Sequence, residues 1–221
     1  MTAETLITLT QPDSPAAEAY RALHLNLTYA SLDHPLETLV ITAPAPERGG
    51  LRHGEVAANL AVALARADRQ VVLVDSDLRR PHLHEIFDVP NEGGLTEAIL
   101  RIGDSGGEIP LIATEIPNLK LLTSGRLLPN PSDVLGSPQM AALLGALKER
   151  SDLVILTAPP VTAAVDATVL ATQVDGLLLV VRSGGTRRDR LEEAKEILAR
   201  VDANLLGAVL IDAPRGLFTG Y

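Results

Sequence analysis

The chain has 221 residues, which is the length of one domain or of one domain with a small appendage. With 46% hydrophobic and 21% charged residues it is not a disordered or low-complexity chain, and without cysteine it has no disulfide, thiolate nucleophile or cysteine-ligated zinc. The net charge of −9 argues against a broad nucleic-acid-binding surface. Neither a signal peptide nor a spanning segment is recognisable, so we expect a cytoplasmic protein that reaches the membrane only through a partner.

The sequence predicts an N-terminal helix followed by alternating strands and helices. Ser14 and Pro15 are typical of a helix start and predict a helix that continues to Ser31. Continuous apolar runs predict strands that are buried on both faces, at 36–42, 71–75, 119–123, 153–156, 176–182 and 205–211. Stretches typical of helices lie between them, at 54–67, 95–102, 133–150, 164–173 and 187–201.

This alternation favours an α/β fold with a doubly wound, mostly parallel sheet and helices on both faces. We expect a single domain over residues 1–221, with an N-terminal helix at 14–31, an α/β core at 36–212 and a tail at 213–221. Ligands of such sheets bind outside the carboxyl ends of the strands. A site is therefore expected in the loops after Thr42, Asp75 and Leu156.

The segment after the first predicted strand has the strand, loop and helix order of a phosphate-binding loop. Such a loop needs glycines for a close backbone approach, a lysine for the terminal phosphates and a Ser or Thr hydroxyl for Mg²⁺. Residues 46–55 include glycines but no lysine, serine or threonine. Taken alone, this loop is better interpreted as an ordinary surface turn.

Two aspartates, Asp75 and Asp77, come at the carboxyl end of the second predicted strand. Both would face the same crevice, which is a rare arrangement and marks the pair as a candidate site. A structural interpretation is also open. In that interpretation one aspartate caps a loop, and the other pairs with Arg79 or Arg80.

Six segments, in order along the chain, carry a resemblance to a known family. They are Ser-Pro-Ala-Ala-Glu-Ala-Tyr-Arg at 14–21, Ala-Ala-Asn-Leu-Ala at 57–61, Val-Asp-Ser-Asp-Leu-Arg-Arg-Pro at 74–81, Pro-Asn-Pro-Ser at 129–132, Ala-Pro-Pro-Val at 158–161 and Val-Asp-Gly-Leu-Leu-Leu-Val-Val-Arg at 174–182. The chain thereby resembles the cytoplasmic kinase domains of bacterial tyrosine kinases for capsular and extracellular polysaccharide, which are relatives of MinD and ParA. The resemblance runs from Ser14 to about Asp212 and implies a P-loop NTPase-like fold.

The first departure from the family lies in the phosphate-binding loop. Family members carry Gly-Lys-Ser/Thr just before Ala-Ala-Asn-Leu-Ala, and this chain has Arg52, His53 and Gly54 at those positions, preceded by Gly49 and Gly50. Histidine is mostly neutral near pH 7 and too short to reach a terminal phosphate, and glycine has no hydroxyl for Mg²⁺. The resemblance therefore implies a degenerate Walker A loop.

Two more departures from the family affect the residues that bind Mg²⁺ and the residue that recognises the adenine base. Thr157 stands where the family has a Walker B aspartate that helps to hold Mg²⁺, and Ile211 stands where it has an asparagine that reads adenine. The family's second-strand pair is retained as Asp75 and Asp77, with Asp166 after the Pro-Pro turn. In the family the first aspartate of the pair is linked to Mg²⁺ and to activation of the tyrosine hydroxyl. These losses predict a pseudokinase, for which we expect no cofactor.

The family also implies sites of assembly and phosphorylation. Its first helix carries a Glu-x-x-Arg-x-x-Arg pattern for ring assembly, and here Glu18, Arg21 and His24 keep two of the three charges. Both a homo-oligomer contact and a solvated helix face remain open interpretations. Family members end in a cluster of phosphorylated tyrosines, whereas only Tyr221 lies in the tail of this chain, as a lone candidate acceptor or a frayed end.

Three functions follow from the resemblance. The first is a catalytically impaired binding or regulatory subunit in capsular or exopolysaccharide synthesis and export, held at the inner face of the membrane by a polysaccharide co-polymerase or an active kinase paralogue. The second is a divergent ATP-dependent tyrosine autokinase, in which Arg48, Arg52 or His53 replaces the lysine and Asp75 and Asp77 hold Mg²⁺. The third, a MinD- or ParA-like positioning ATPase, fits less well. No basic face for DNA is evident, and we expect no nucleic-acid partner.

Overall fold

The computed structural model describes residues 5–32, 35–46, 52–102 and 108–214. Helices and strands alternate along most of this length. In chain order they are α1 (Ile7–Thr10), α2 (Pro15–Ala30), β1 (Thr38–Thr42), α3 (Arg52–Arg66), β2 (Val71–Asp75), α4 (Leu83–Phe87), α5 (Leu95–Arg101), β3 (Ile112–Ala113), β4 (Leu119–Leu122), α6 (Pro131–Leu135), α7 (Pro138–Lys148), β5 (Leu153–Thr157), α8 (Asp166–Ala171), β6 (Gly176–Arg182), α9 (Arg188–Ala199) and β7 (Leu205–Ile211).

The strands form one seven-stranded sheet in the order β3-β4-β2-β5-β1-β6-β7. All neighbouring pairs are parallel except the short strand β3, which runs antiparallel to β4. Alternate strand residues belong to two separate apolar clusters, for example Leu39 and Ile41 to one and Val40 to the other. Because successive side chains of a strand point to opposite faces, each cluster covers one face of the sheet. The predicted α/β fold is confirmed. The expectation that the strand at 205–211 is buried on both faces is wrong, because β7 lies at the edge of the sheet and its residues are half-buried or exposed.

The N-terminal helix begins as the sequence predicts. The Ser14 hydroxyl accepts a hydrogen bond from the backbone N–H of Ala17 at 3.2 Å, and Pro15 occupies the first helical position. None of the helices among the described residues is long and apolar enough to cross a membrane.

One predicted helix is wrong. The stretch 133–150 is not continuous, because α6 ends at Leu135 and α7 starts at Pro138. Ser137 caps the new helix by accepting a hydrogen bond from the Met140 N–H at 3.2 Å, and proline favours a first helical position over a helix interior. The short elements α1, α4 and β3 were not predicted, because none is long enough to show a hydrophobic period.

The short helix α1 is held onto α3 by Asn59. The Asn59 Oδ1 atom accepts hydrogen bonds from both the backbone N–H and the hydroxyl of Thr8, each at 3.0 Å, while its amide donates to the Thr5 carbonyl oxygen at 2.8 Å. Asn59 lies in the Ala-Ala-Asn-Leu-Ala segment of α3. One residue of that segment therefore fixes the N-terminal part of the described chain.

The topology brings the carboxyl ends of β1, β2 and β5 together at one edge of the sheet. β5 lies between the other two strands, and its last residue, Thr157, is in register with Asp75 on one side and Ile41 on the other. The described start of the loop after Thr42 and the loops after Asp75 and Thr157 thus leave the same edge of the sheet, which is where a doubly wound sheet binds ligands.

Candidate functional site

Asp75 ends β2 and is fully buried. Its Oδ2 atom accepts hydrogen bonds from the backbone N–H groups of His82 at 2.9 Å and Leu83 at 2.8 Å. Its Oδ1 atom accepts a hydrogen bond from the Thr157 hydroxyl at 3.1 Å. Burial raises the pKa of Asp75, and these hydrogen bonds oppose that rise. The carboxylate therefore holds the start of α4, which matches the capping interpretation of this aspartate.

Asp77 is also buried, but only one of its oxygens is used. Oδ1 accepts hydrogen bonds from the backbone N–H groups of Arg79 at 3.2 Å and Arg80 at 2.9 Å. Asp77 thus binds the backbone of these arginines, rather than a side chain as the structural interpretation of the sequence expected. Oδ2 has no hydrogen-bond partner among the described residues and lies 4.0 Å from Nε2 of His53. Burial raises the pKa of Asp77, and the neighbouring Asp75 adds to the rise.

His53, which the sequence predicts at the position of the family's lysine, lies in the first turn of α3 with 2% of its surface exposed. Burial, and to a smaller extent the nearby His82, lowers the pKa of His53 to about 3, so the ring is neutral at pH 7. Its Nε2 atom has no hydrogen-bond partner in the described part of the chain. A neutral, buried imidazole cannot supply the mobile positive charge with which a lysine binds a terminal phosphate.

Gly54, which the sequence predicts at the position of the family's metal-binding hydroxyl, lies against the ring of His82. A Cβ atom added to Gly54 would overlap the ring atoms Cε1 and Nε2 of His82. The rings of His53 and His82 meet edge to face, with their centroids 6.2 Å apart. His82 was not singled out from the sequence. We call His53, Asp77 and His82 the histidine cluster.

A second group of polar residues, Arg79, Ser132 and Asp166, forms what we call the arginine cluster. Arg79 donates to the fully buried Asp166 from Nε at 2.7 Å and from Nη2 at 3.0 Å. The Ser132 hydroxyl donates to the same carboxylate at 2.6 Å. These bonds join the loop after β2 to α6 and α8, and the bond to Asp166 raises the pKa of Arg79. Arg79 and Ser132 lie in segments that carry the family resemblance, but their contacts span too many residues to be predicted from spacing.

Arg52, at the position of the family's glycine, points to the end of β7. Its Nη2 atom donates to Asp212 Oδ1 at 3.2 Å, and Arg182 Nε donates to Asp212 Oδ2 at 2.8 Å. Ile211, which the sequence predicts at the position of the family's asparagine, immediately precedes this aspartate and packs against the apolar cluster of α2 and α3. These contacts therefore link the start of α3 to the end of β7.

The predicted assembly residues lie on α2. Arg21 donates to Glu18 at 2.7 Å and to the Pro12 carbonyl oxygen at 2.9 Å, so its guanidinium is bound within its own chain. Partial burial lowers the pKa of His24, and Arg69 adds to this effect. The remaining predicted site residues lie outside the described residues; they are Arg48, Gly49, Gly50 and Tyr221.

Comparison with known proteins identifies the family. The chain is 37% identical over 205 residues to the tyrosine-protein kinase YwqD of Bacillus subtilis, an alignment that covers 93% of this chain and 84% of YwqD. The chain belongs to the bacterial tyrosine-protein kinase family. No family model matches it.

Solved structures agree with this membership. The chimerical protein CapA2B2 is 37% identical with a TM-score of 0.85, covering 94% of this chain and 89% of that one. The kinase domain of the Escherichia coli tyrosine kinase ETK is 31% identical with a TM-score of 0.84, covering 98% and 84%. The Pyrococcus furiosus cell division ATPase MinD, at 23% identity, a TM-score of 0.60 and 79% and 71% coverage, shares the fold. The expected P-loop NTPase-like fold is thus confirmed.

Proposed function

We propose that this member of the bacterial tyrosine-protein kinase family is catalytically impaired and acts as a binding and regulatory subunit. The observation that carries the proposal is the state of the phosphate-binding position. The residue in place of the lysine, His53, is buried and neutral, and His82 fills the space beside Gly54. Neither the charge nor the hydroxyl that a Mg²⁺–nucleotide needs is present at the start of α3.

The carboxylates also do not fit a magnesium ion. Magnesium requires near-ideal octahedral oxygen coordination. Both oxygens of Asp75 already accept hydrogen bonds, and Thr157, in place of the family's second carboxylate, donates one of them. Asp77 Oδ2 faces His53. Among the described residues no group of three or more His, Asp or Glu could hold a metal ion.

The expected effect on catalysis is large. Phosphoryl transfer depends on positioning and on electrostatic stabilisation of the transferring group. Removal of one well-placed donor typically costs a factor of about 10² to 10³. Loss of the lysine and the metal ligands together is expected to reduce a kinase that turns over at roughly 1 to 100 s⁻¹ to a negligible rate.

The proposed role is in capsular or exopolysaccharide synthesis and export, at the cytoplasmic face of the membrane. The partner would be a membrane polysaccharide co-polymerase or an active kinase paralogue. The arginine cluster supports this role, because it keeps the scaffold around the crevice intact while the phosphate-binding position is altered. Neither ATP nor Mg²⁺ is a cofactor in this proposal.

A second candidate, a divergent tyrosine autokinase, is favoured by one observation. Asp75 and Asp77 are both retained and lie side by side at the crevice, and burial raises the pKa of each. Tyr221 would be the acceptor in such an enzyme. This candidate requires Asp75 to give up its hydrogen bonds to α4 in order to bind a metal.

Thermal unfolding with and without Mg²⁺–ATP or Mg²⁺–ADP tests the proposal, with YwqD as the active control. A ligand at 100 times its Kd stabilises by about 2.7 kcal/mol, which would raise Tm by roughly 5 to 10 °C for a chain of this size. We expect no shift at millimolar nucleotide and no phosphate on Tyr221 by mass spectrometry. A shift that phosphate alone does not produce would support the autokinase instead.

The proposed regulation of an active kinase paralogue is tested by a separate kinetic measurement. The autophosphorylation rate of YwqD is followed with and without an equimolar amount of this chain, with bovine serum albumin as the protein control. We expect the rate to change only with this chain. An unchanged rate together with no co-sedimentation of the two proteins would count against a kinase paralogue as the partner.

A further inference from the structure

Gly54 and His82 are complementary in shape. Gly54 is in the first turn of α3, and His82 immediately precedes α4. The imidazole lies so close to Gly54 that it occupies the volume in which any side chain of residue 54 would begin. A glycine at this position therefore does more than remove a hydroxyl, because it makes room for the ring of another residue.

The position of His82 is fixed through its backbone. The His82 N–H donates to Asp75 Oδ2 at 2.9 Å, and the next residue, Leu83, donates to the same oxygen and is fully buried. Pro81 precedes His82 and restricts the backbone further. The ring is thus carried by a short, well-anchored segment, although it can still rotate about its own side-chain bonds.

The ring is also enclosed on its second side. His53 lies edge to face with it at a centroid distance of 6.2 Å and is itself buried. Both ring nitrogens of His82 are shielded from solvent. The imidazole consequently sits between the start of α3 and the start of α4, against the residue that the resemblance aligns with the family's metal-binding hydroxyl.

We propose that His82 closes the crevice from within by occupying the metal-and-phosphate position beside Gly54. This inference rests on the proposed function, since it names the residue that keeps nucleotide out. It makes His82 the residue that determines whether the crevice is open, independently of the missing lysine and hydroxyl. Restoring those two groups is then insufficient unless the imidazole is also removed.

The steric part is tested by the melting temperatures of Gly54→Ala, His82→Ala and the double variant. Gly145 in α7 provides the matched control, because a Cβ added there meets nothing within 4 Å. Gly145→Ala is expected to raise Tm by about 1 to 4 °C through its higher helix propensity. In the wild-type background, Gly54→Ala is expected to lower Tm by roughly 2 to 6 °C, because the new methyl group overlaps the His82 ring. In the His82→Ala background the ring is absent, so Gly54→Ala is expected to raise Tm as Gly145→Ala does. The same change in both backgrounds would overturn the proposal.

The functional part compares Mg²⁺–ADP binding by isothermal titration calorimetry in two variants. The first is His53→Lys with Gly54→Ser, and the second adds His82→Ser. We expect the third substitution to tighten binding at least tenfold. Equal affinity in both variants, or no binding by either, would show that His82 is not the residue that closes the crevice.

Measuring Mg²⁺–ADP binding by the wild-type chain distinguishes a failure of this inference from a failure of the proposed function. Wild-type binding of Mg²⁺–ADP would overturn the proposed loss of nucleotide binding. A wild-type chain that does not bind, together with two engineered variants that behave alike, would overturn the role of His82 and leave the proposed function standing.

Discussion

The arginine cluster and the histidine cluster meet in the loop after β2, which carries Asp77 and Arg79, but their buried polar groups differ in how they are hydrogen-bonded. In the arginine cluster, Asp166 accepts two hydrogen bonds from Arg79 and one from Ser132. In the histidine cluster, His53 Nε2 and Asp77 Oδ2 lie 4.0 Å apart, and neither has a hydrogen-bond partner among the described residues. An unsatisfied buried polar atom typically costs about 1 to 3 kcal/mol.

This difference in hydrogen bonding distinguishes a cluster that stabilises the fold from a cluster that belongs to the candidate site. A network whose members satisfy one another stabilises the fold whether or not a ligand is present. Buried groups without partners are instead characteristic of positions shaped for something other than stability. We infer that the arginine cluster stabilises the fold, and that the histidine cluster lies at the position where we propose that nucleotide binding is lost.

Breaking the arginine cluster is expected to have the largest effect. Asp166→Ala should lower the free energy of unfolding by about 3 kcal/mol, because it leaves Ser132 and Arg79 without their buried acceptor. The value is below that of a fully buried pair, since the Arg79 side chain is 44% exposed. Urea unfolding measures the change. Asp133→Ala, an exposed position on α6, is the control and should change stability by under about 0.5 kcal/mol. Equal losses in the two variants would contradict the scaffold role.

Lowering the pH is expected to reduce the free energy of unfolding through His53, a member of the histidine cluster. The pKa of His53 is about 3 in the folded chain against 6.5 for an ordinary histidine, so the unfolded chain binds the extra proton between these values. Its contribution to stability is therefore complete above pH 6.5 and is lost as pH falls towards 3. Between pH 7 and pH 4.5 the loss amounts to roughly 2 to 3 kcal/mol.

The raised pKa values of Asp75 and Asp77 act in the opposite direction, because their protonated forms are favoured in the folded chain. His53→Gln isolates the histidine, since glutamine does not titrate. Urea unfolding of both proteins at pH 7 and pH 4.5 should show a smaller acid loss in the variant. A loss of the same size in both would assign the acid sensitivity to other groups.

Removing the charge of Asp77 is expected to have a smaller effect of opposite sign. Asp77→Asn should raise the free energy of unfolding at pH 7 by about 1 kcal/mol, because the neutral amide avoids the cost of burying a carboxylate and still accepts the Arg79 and Arg80 amides. Asp166→Asn is the comparison, and it should be destabilising. Thermal unfolding of both variants at pH 7 distinguishes them. A destabilised Asp77→Asn would mean that its second oxygen has a partner after all.

Much of the fold could be predicted from local patterns. Continuous apolar runs predicted the positions of the longer strands, and Ser14 with Pro15 predicted the start of α2. They did not predict that β7 is partly exposed, because an apolar run does not reveal which strand lies at the edge of the sheet. The stretch 133–150 was predicted as one helix because its apolar residues continue past Ser137, whose capping role depends on local hydrogen bonding. Ser137 and Pro138 repeat the Ser-Pro pair that predicts the start of α2, so the sequence did carry the signal for the break, but the apolar pattern that continues on both sides concealed it.

Fewer features of the candidate site than of the fold could be predicted from the sequence. Asp75 and Asp77 were found because they end a strand, but their partners were not. Thr157 donates to Asp75 across 82 residues, and Arg79 reaches Asp166 across 87. Contacts between distant segments depend on how the sheet is ordered. His82 was missed for a related reason, since its importance comes from the space next to Gly54 and not from a motif of its own.

The smallest expected effect lies outside both clusters, on α2. Arg21→Ala should lower the free energy of unfolding by under about 0.5 kcal/mol, because Arg21 and Glu18 form an exposed pair one helical turn apart. Since the guanidinium already binds Glu18 and the Pro12 carbonyl oxygen, we expect the sedimentation coefficient to stay unchanged as well. Arg188→Ala, at the exposed start of α9, is the control for loss of one positive charge. A lower sedimentation coefficient for Arg21→Ala alone would instead identify α2 as an assembly surface, and the polar contacts that matter there would then lie between copies of the chain.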